Sequence, residues 1–232
     1  NVVIPCFAVG RTQEMLYLLH QIRTRGLLPQ FPDFPVWVDS PLSLEATQIY
    51  SGDLTGYADE ETIEVLKDGF HPLIFSNLNL SRESSQSKFL NTDPEPKVII
   101  SSSGMCEAGR VRHHLKHNLW RAESTVVFVG FQGEGTLGRT LLEGAKKVKM
   151  FGEEIAVKAQ IVNFPGLSSH AGLSGLVQWI LTFSPKPRHV FVVHGDEDVV
   201  PQYVERLEKM GFSAHGPELT EEYDLIENRI VK

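Results

Sequence analysis

Short apolar runs alternate along this chain with stretches whose apolar residues recur every three to four positions. The pattern predicts strands alternating with amphipathic helices, an α/β fold with a mainly parallel sheet flanked by helices. Val2-Val3-Ile4 reads as a strand, and Gly10 as the turn after it. Thr12 opens a helix in which Met15, Leu18, Leu19 and Ile22 form one stripe, and Gly26 ends it. Pro35–Val38 reads as a second strand, with Ser40 capping a helix that carries Leu44, Ile49 and Tyr50. Glu60–Lys67 is a helix expected to stop at Gly69, and Ser81–Leu90 a polar one.

The alternation continues through the second half. Lys97–Ser101 and Thr125–Val129 are strands, with helices expected from near Gly109 and around Leu141. Ile155–Val162 reads as one strand, and Gly172–Thr182 as a helix with Leu173, Leu176, Val177 and Ile180 inward. His189–Val193 is a strand, Val200–Met210 a helix, and Glu222–Ile226 a last short strand. No period of 20–50 residues recurs, which excludes a solenoid.

Four times a buried strand runs into a turn of Gly, Ser or His that opens a helix: Pro5–Arg11, Ser101–Arg110, Gly130–Arg139 and His194–Val199. In a parallel sheet such turns gather at the carboxyl ends of the strands, where ligands bind. Helix N-termini there are expected to point free N–H groups at an anion, and Arg11, Arg110 and Arg139 add positive charge. The competing reading is that each Gly only tightens a turn and each Arg lies on the surface.

Composition sets limits on function. No apolar run approaches the ~18 residues a membrane span needs, and no signal peptide is visible, so a cytoplasmic location without membrane attachment is expected. The net charge of −7, with 29 acidic against 22 basic residues, weighs mildly against nucleic acid. The charges are clustered, however, with locally basic Arg110–Arg121 and Lys146–Lys149. The two cysteines, Cys6 and Cys106, make neither a disulfide framework nor a zinc-finger spacing. P-loop, dinucleotide fingerprint and G-x-S-x-G elbow are all missing.

Most of the nine histidines read as ordinary surface or helix residues. His113 and His117, four apart on one helix, could share a metal, but no third ligand is near and a solvated face is favoured. His170 and His194 differ, because each follows a strand and precedes a helix, where α/β proteins keep reactive groups.

Several words occur together in one order. They are Pro5-Cys6-Phe7-Ala8-Val9-Gly10-Arg11-Thr12-Gln13-Glu14, Asp39-Ser40-Pro41, Ser103-Gly104-Met105 with Gly109-Arg110, Gly130-Phe131-Gln132 leading to Gly135-Thr136-Leu137-Gly138-Arg139, Ser169-His170-Ala171 and Val193-His194-Gly195. Spread over nearly the whole chain, they resemble the β-CASP family of metallo-β-lactamase-fold RNA nucleases, above all the cleavage-and-polyadenylation endonuclease and its bacterial relatives.

The resemblance implies a β-CASP domain over residues 1–151 and the C-terminal part of a metallo-β-lactamase domain over 152–232, the return falling near Gly152. It implies an RNA phosphodiesterase with two zinc ions in the intact enzyme. The family's H-x-H-x-D-H cluster is nowhere in this sequence. The chain, which opens on Asn1, is therefore expected to be a fragment that does not cleave RNA alone. His194 matches the family's final metal-ligand histidine, and a histidine there, rather than an aliphatic residue, favours RNA over DNA. His170 matches a histidine expected to act at the scissile phosphate. Arg11, Ser103, Gly104, Met105, Arg110 and Ser169 are the expected phosphate contacts. Gly172 departs from the family, which usually has Asp there, and the loss puts the cap of the next helix in doubt. RNA is the expected partner, with homodimerisation left open. A catalytically inactive β-CASP scaffold of RNA processing is the alternative, and a nucleotide-binding α/β enzyme of another family a third.

Overall fold

The computed structural model describes residues 1–67, 71–168 and 170–231. The helix stop expected at Gly69 lies outside them, as does Ser169. The chain divides into two compact units, Asn1–Ser168 and Ser169–Lys232.

The first unit is built on six strands: β1 (Val2–Pro5), β2 (Val36–Val38), β3 (Leu78–Leu80), β4 (Val98–Ser101), β5 (Thr125–Phe128) and β8 (Gln160–Asn163). They lie in the order β3-β2-β4-β1-β5-β8, and every pairing is parallel. All six carboxyl ends therefore open on one edge. The strands are apolar on both faces because both faces are covered. On one side Ile4, Val36, Val38 and Ile100 pack with Met15, Leu16 and Leu19 of helix α1 (Arg11–Thr24). On the other, Val3, Val126 and Phe128 pack with Val111, Leu115 and Leu119 along helix α5 (Val111–Asn118) and with Leu141 of α6 (Leu137–Leu142). The remaining helices are α2 (Pro41–Tyr50), α3 (Glu60–Lys67) and α4 (Ser84–Thr92).

The single strand expected over Ile155–Val162 is two. Its first part belongs to β7 (Glu153–Ala156), which turns back antiparallel on β6 (Lys147–Met150) through Gly152 at φ +81°. Its second part enters the main sheet as β8. The break comes at Val157–Ala159, whose amides bond to Lys146 and Leu119 carbonyls instead of a strand. The polar helix expected over Ser81–Leu90 starts later, at Ser84.

The second unit holds α7 (Leu173–Leu181), α8 (Val199–Lys209), a parallel pair β9 (Val190–Phe191) and β10 (Ala214–His215), and a hairpin of β11 (Tyr223–Asp224) and β12 (Arg229–Ile230). Its core is small, with Ile180, Leu207, Phe212 and Ala214 at the centre. The inward stripe expected on α7 is not realised. Only Ile180 is buried, while Leu173 and Leu176 are exposed, because so few elements of this unit are available to cover the helix. Among the described residues no helix is long and apolar enough to cross a membrane.

Candidate nucleic-acid interface

The words that fall in the first unit meet at the carboxyl edge of the six-stranded sheet. The loop after β4 folds back on itself: Ser103 N–H donates to the Ala108 carbonyl (3.2 Å), and Cys106 N–H to that of Ser103 (3.2 Å). Gly109 sits at φ +81°, and a Cβ there would stand 2.4 Å from the Ser102 carbonyl oxygen, so only glycine fits. Gly104 is pressed against the turn after β1, where a Cβ would come within 3.1 Å of Phe7 N. From the other side Gln132, almost fully buried, donates from Nε2 to the carbonyls of Gly104 (3.0 Å) and Gly130 (3.2 Å). Gly138 N–H donates to Met105 O (3.2 Å). The turns after β1, β4 and β5 are thus tied into one surface, with Ser103 and Met105 half-buried upon it.

Behind that surface lies a polar hub that sequence reasoning missed. Asp39, fully buried just past β2, accepts from Arg110 Nη1 on Oδ1 (2.7 Å) and from Ser87 Oγ on Oδ2 (2.6 Å). His114 Nε2 also meets Oδ2 at 2.6 Å, and its Nδ1 meets Asn91 Oδ1 at 2.8 Å. Burial pushes the Asp39 carboxyl up, but hydrogen bonds from His114, Ser87 and Arg110 outweigh it and hold the group down at about 2. The available signal was His114's place on α5, in register with the inward Val111 and Leu115 rather than with His113 and His117. His113 is exposed and stacks on Phe151, and His117 is half-buried.

The three strand-end arginines all have carboxylate partners. Arg11 pairs with Glu14 at 2.5 Å, Arg139 with Glu143 at 2.7 Å, and Arg110 with Asp39. Arg110 also donates to the carbonyls of Ser81 (3.1 Å) and Arg82 (3.0 Å), which fixes it to the hub. The Glu14 and Glu143 carboxylates are exposed and can give way to a phosphate, whereas buried Asp39 cannot. Nor are the amides expected to be free at the helix N-termini available. Thr12 N–H donates to Phe7 O, Val111 N–H to Ser102 O, and Leu137 N–H to Glu107 Oε1. Loop carbonyls and a carboxylate occupy the positions an anion would take.

His170 and His194 lie in the second unit, and both are exposed. His170 precedes α7, whose first turn has Gly172 at the cap position and no side-chain cap. His194 stands three residues past β9 in the left-handed region, at φ +60°. Among the described residues no three His, Cys, Asp or Glu side chains gather to hold a metal. The cysteines offer nothing toward one, since both are buried, and burial pushes the Cys106 thiol up to about 12. The described residues therefore do not fit a zinc centre on their own; a single exposed imidazole supplies one of the four ligands zinc usually takes.

These features define a class. The Beta-Casp domain profile matches residues 12–141, and the profile of the Zn-dependent metallo-hydrolase RNA specificity domain matches 154–217. The chain belongs to the β-CASP family. It is 36% identical over 198 residues to a ribonuclease of Thermus thermophilus, an alignment that covers 85% of this chain and 44% of that protein. It is 32% identical over 203 residues to transcription termination factor FttA of Methanosarcina mazei, covering 84% and 31%. An RNase J-like protein of Methanocaldococcus jannaschii is 32% identical over 196 residues, covering 84% and 43%. The chain spans less than half the length of these relatives.

Proposed function

We propose that this chain is the RNA-holding part of a zinc-dependent ribonuclease, with the first unit's loop surface gripping the strand to be cut. The division near Gly152 would separate the β-CASP portion from the end of a metallo-β-lactamase portion. The observation that carries the zinc assignment is the placement of His194. Its ring is exposed on a turn at the carboxyl end of β9, inside the segment similar to the zinc-dependent RNA specificity domain. A histidine serving only the core would be packed among Leu207 and Phe212 instead. Within the proposal His194 gives one ligand, and parts of the protein outside these 232 residues give the others.

His170, exposed ahead of α7, is assigned to the phosphate. Its ring would donate a hydrogen bond to a phosphate oxygen or hand a proton to the leaving 3′-oxygen. Ser103 and Met105 would line the path of the strand, with buried Gly104 seating the loop against the turn after β1. Arg11 would exchange Glu14 for a phosphate, while Arg110 holds the wall in place through Asp39. Ser169, outside the described residues, keeps its assignment as a phosphate contact on its place beside His170.

Two outcomes test the reading. The 232-residue chain supplied with zinc is expected to leave RNA uncut, and robust cleavage abolished by a chelator would contradict this. In a protein that carries the whole metal site, His194→Ala is expected to lower the cleavage rate by more than about 100-fold, beyond the range typical of residues that only support a ligand. An unchanged rate there would remove His194 from the site.

A further inference from the structure

Three neighbouring parallel strands each run into an exposed phenylalanine. Phe7 follows β1, Phe131 follows β5 and Phe164 follows β8, and the rings are 48%, 52% and 53% exposed. Rings left in water at the ligand-binding edge of a parallel sheet forgo burial that the rest of the sheet achieves. Phe131 and Phe164 also share a cavity of about 390 Å³ at the ends of β5 and β8, within the range of small-ligand sites.

The cavity's polar lining narrows the chemistry of an occupant. Arg139 and Glu143 both line it, and their charges cancel, with Nε and Oε1 2.7 Å apart. Asn163, exposed on the same wall, carries both a donor and an acceptor on one planar amide. Aromatic walls, no net charge and a bidentate amide suit the face and edge of a nucleobase, and suit a phosphate poorly. The occupied amides at the neighbouring helix N-termini point the same way, since this edge is poorly equipped to hold anions by backbone alone.

We infer that this cavity takes one base of single-stranded RNA, packed against both Phe131 and Phe164 with its edge against Asn163, and that Phe7 receives a base further along the strand. Stacking on successive aromatic side chains is a sequence-tolerant way to hold a single strand. The inference rests on the RNA reading above and specifies how the first unit would grip its substrate.

The experiment measures binding of two labelled strands of equal length, an intact RNA and its abasic sugar–phosphate counterpart, to the 232-residue chain by fluorescence anisotropy. Phe131→Ala and Phe164→Ala are each expected to weaken binding of intact RNA by about 10-fold. Both should leave the abasic strand bound as by the wild type, and Phe131→Tyr, which keeps the ring, should bind like the wild type. Both rings are more than half exposed, so melting curves should be unchanged. If the alanine variants bind intact RNA as tightly as the wild type does, the cavity assignment is wrong and the RNA reading survives; the rings then belong to a protein-facing surface. Equal losses for the abasic strand would trace the effect to the loops and would also overturn it. A wild-type chain that binds neither strand would instead bring down the RNA reading, and this inference with it.

Discussion

Replacing Asp39 with alanine is expected to lower the stability of the first unit by about 3–5 kcal/mol, the range for removing one partner of a buried ion pair. Asp39 joins β2, α4 and α5 through Ser87, Arg110 and His114, all on one fully buried carboxylate. Without it, Arg110 keeps only carbonyl partners and the enclosed His114 ring loses one of its two contacts. Urea unfolding followed by circular dichroism would measure the loss. Asp39→Asn keeps the shape and should lose less, and a loss under about 1 kcal/mol for Asp39→Ala would mean that the hub is dispensable. The pH dependence has a defined sign. The folded carboxyl titrates at about 2, below the ordinary value of ~3.9. Its contribution is therefore complete above about pH 4 and is lost as the pH falls toward 2. The alanine variant should lack that part of the acid limb.

Gly109→Ala carries the second large expected effect, a loss of about 2–4 kcal/mol together with weaker RNA binding. Two costs add. A φ of +81° strains any side chain, and the new methyl meets the Ser102 carbonyl, a backbone atom that cannot swing aside. Gly10→Ala separates them, because Gly10 has nearly the same φ of +82° with nothing within 4 Å of a Cβ. It should show backbone strain alone, about 1–3 kcal/mol, because Gly10 lies in a γ-turn with ψ −72°. Comparable losses in the two variants would mean that the loop after β4 yields easily. That result would deprive Ser103, Gly104 and Met105 of the rigid support assumed for them.

The parallel sheet was legible because strands covered on both faces read as unbroken apolar runs, as in Val2-Val3-Ile4 and Val98-Ile99-Ile100. The family words were legible too, and the structure gives a physical reason for several of them. Asp39 grips Arg110, Gln132 grips Gly104, and Gly138 bonds to Met105, so words distant in sequence are halves of the same contacts. What escaped the sequence is pairwise. Periodicity could place a carboxylate after β2 and a histidine on α5, but not the bond between them across 75 residues. It could not see that loop carbonyls would take the amides at the helix N-termini. The break at Val157–Ala159 was hidden because no Gly or Pro separates β7 from β8, so Ile155–Val162 still reads as one strand. On α7 the stripe was real, and the elements needed to bury it were lacking in its unit.

The proposed function puts RNA along the carboxyl edge of the six-stranded sheet. Ultraviolet crosslinking of a uridine-containing single strand to the chain, with the attachment sites read by mass spectrometry, tests it most directly. Crosslinks are expected within residues 6–10, 102–110, 130–136 and 164–168, with Phe131 and Phe164 foremost. Crosslinks confined to the opposite edge of the sheet, near Lys97, Ser124 and the turn before Val36, would contradict it.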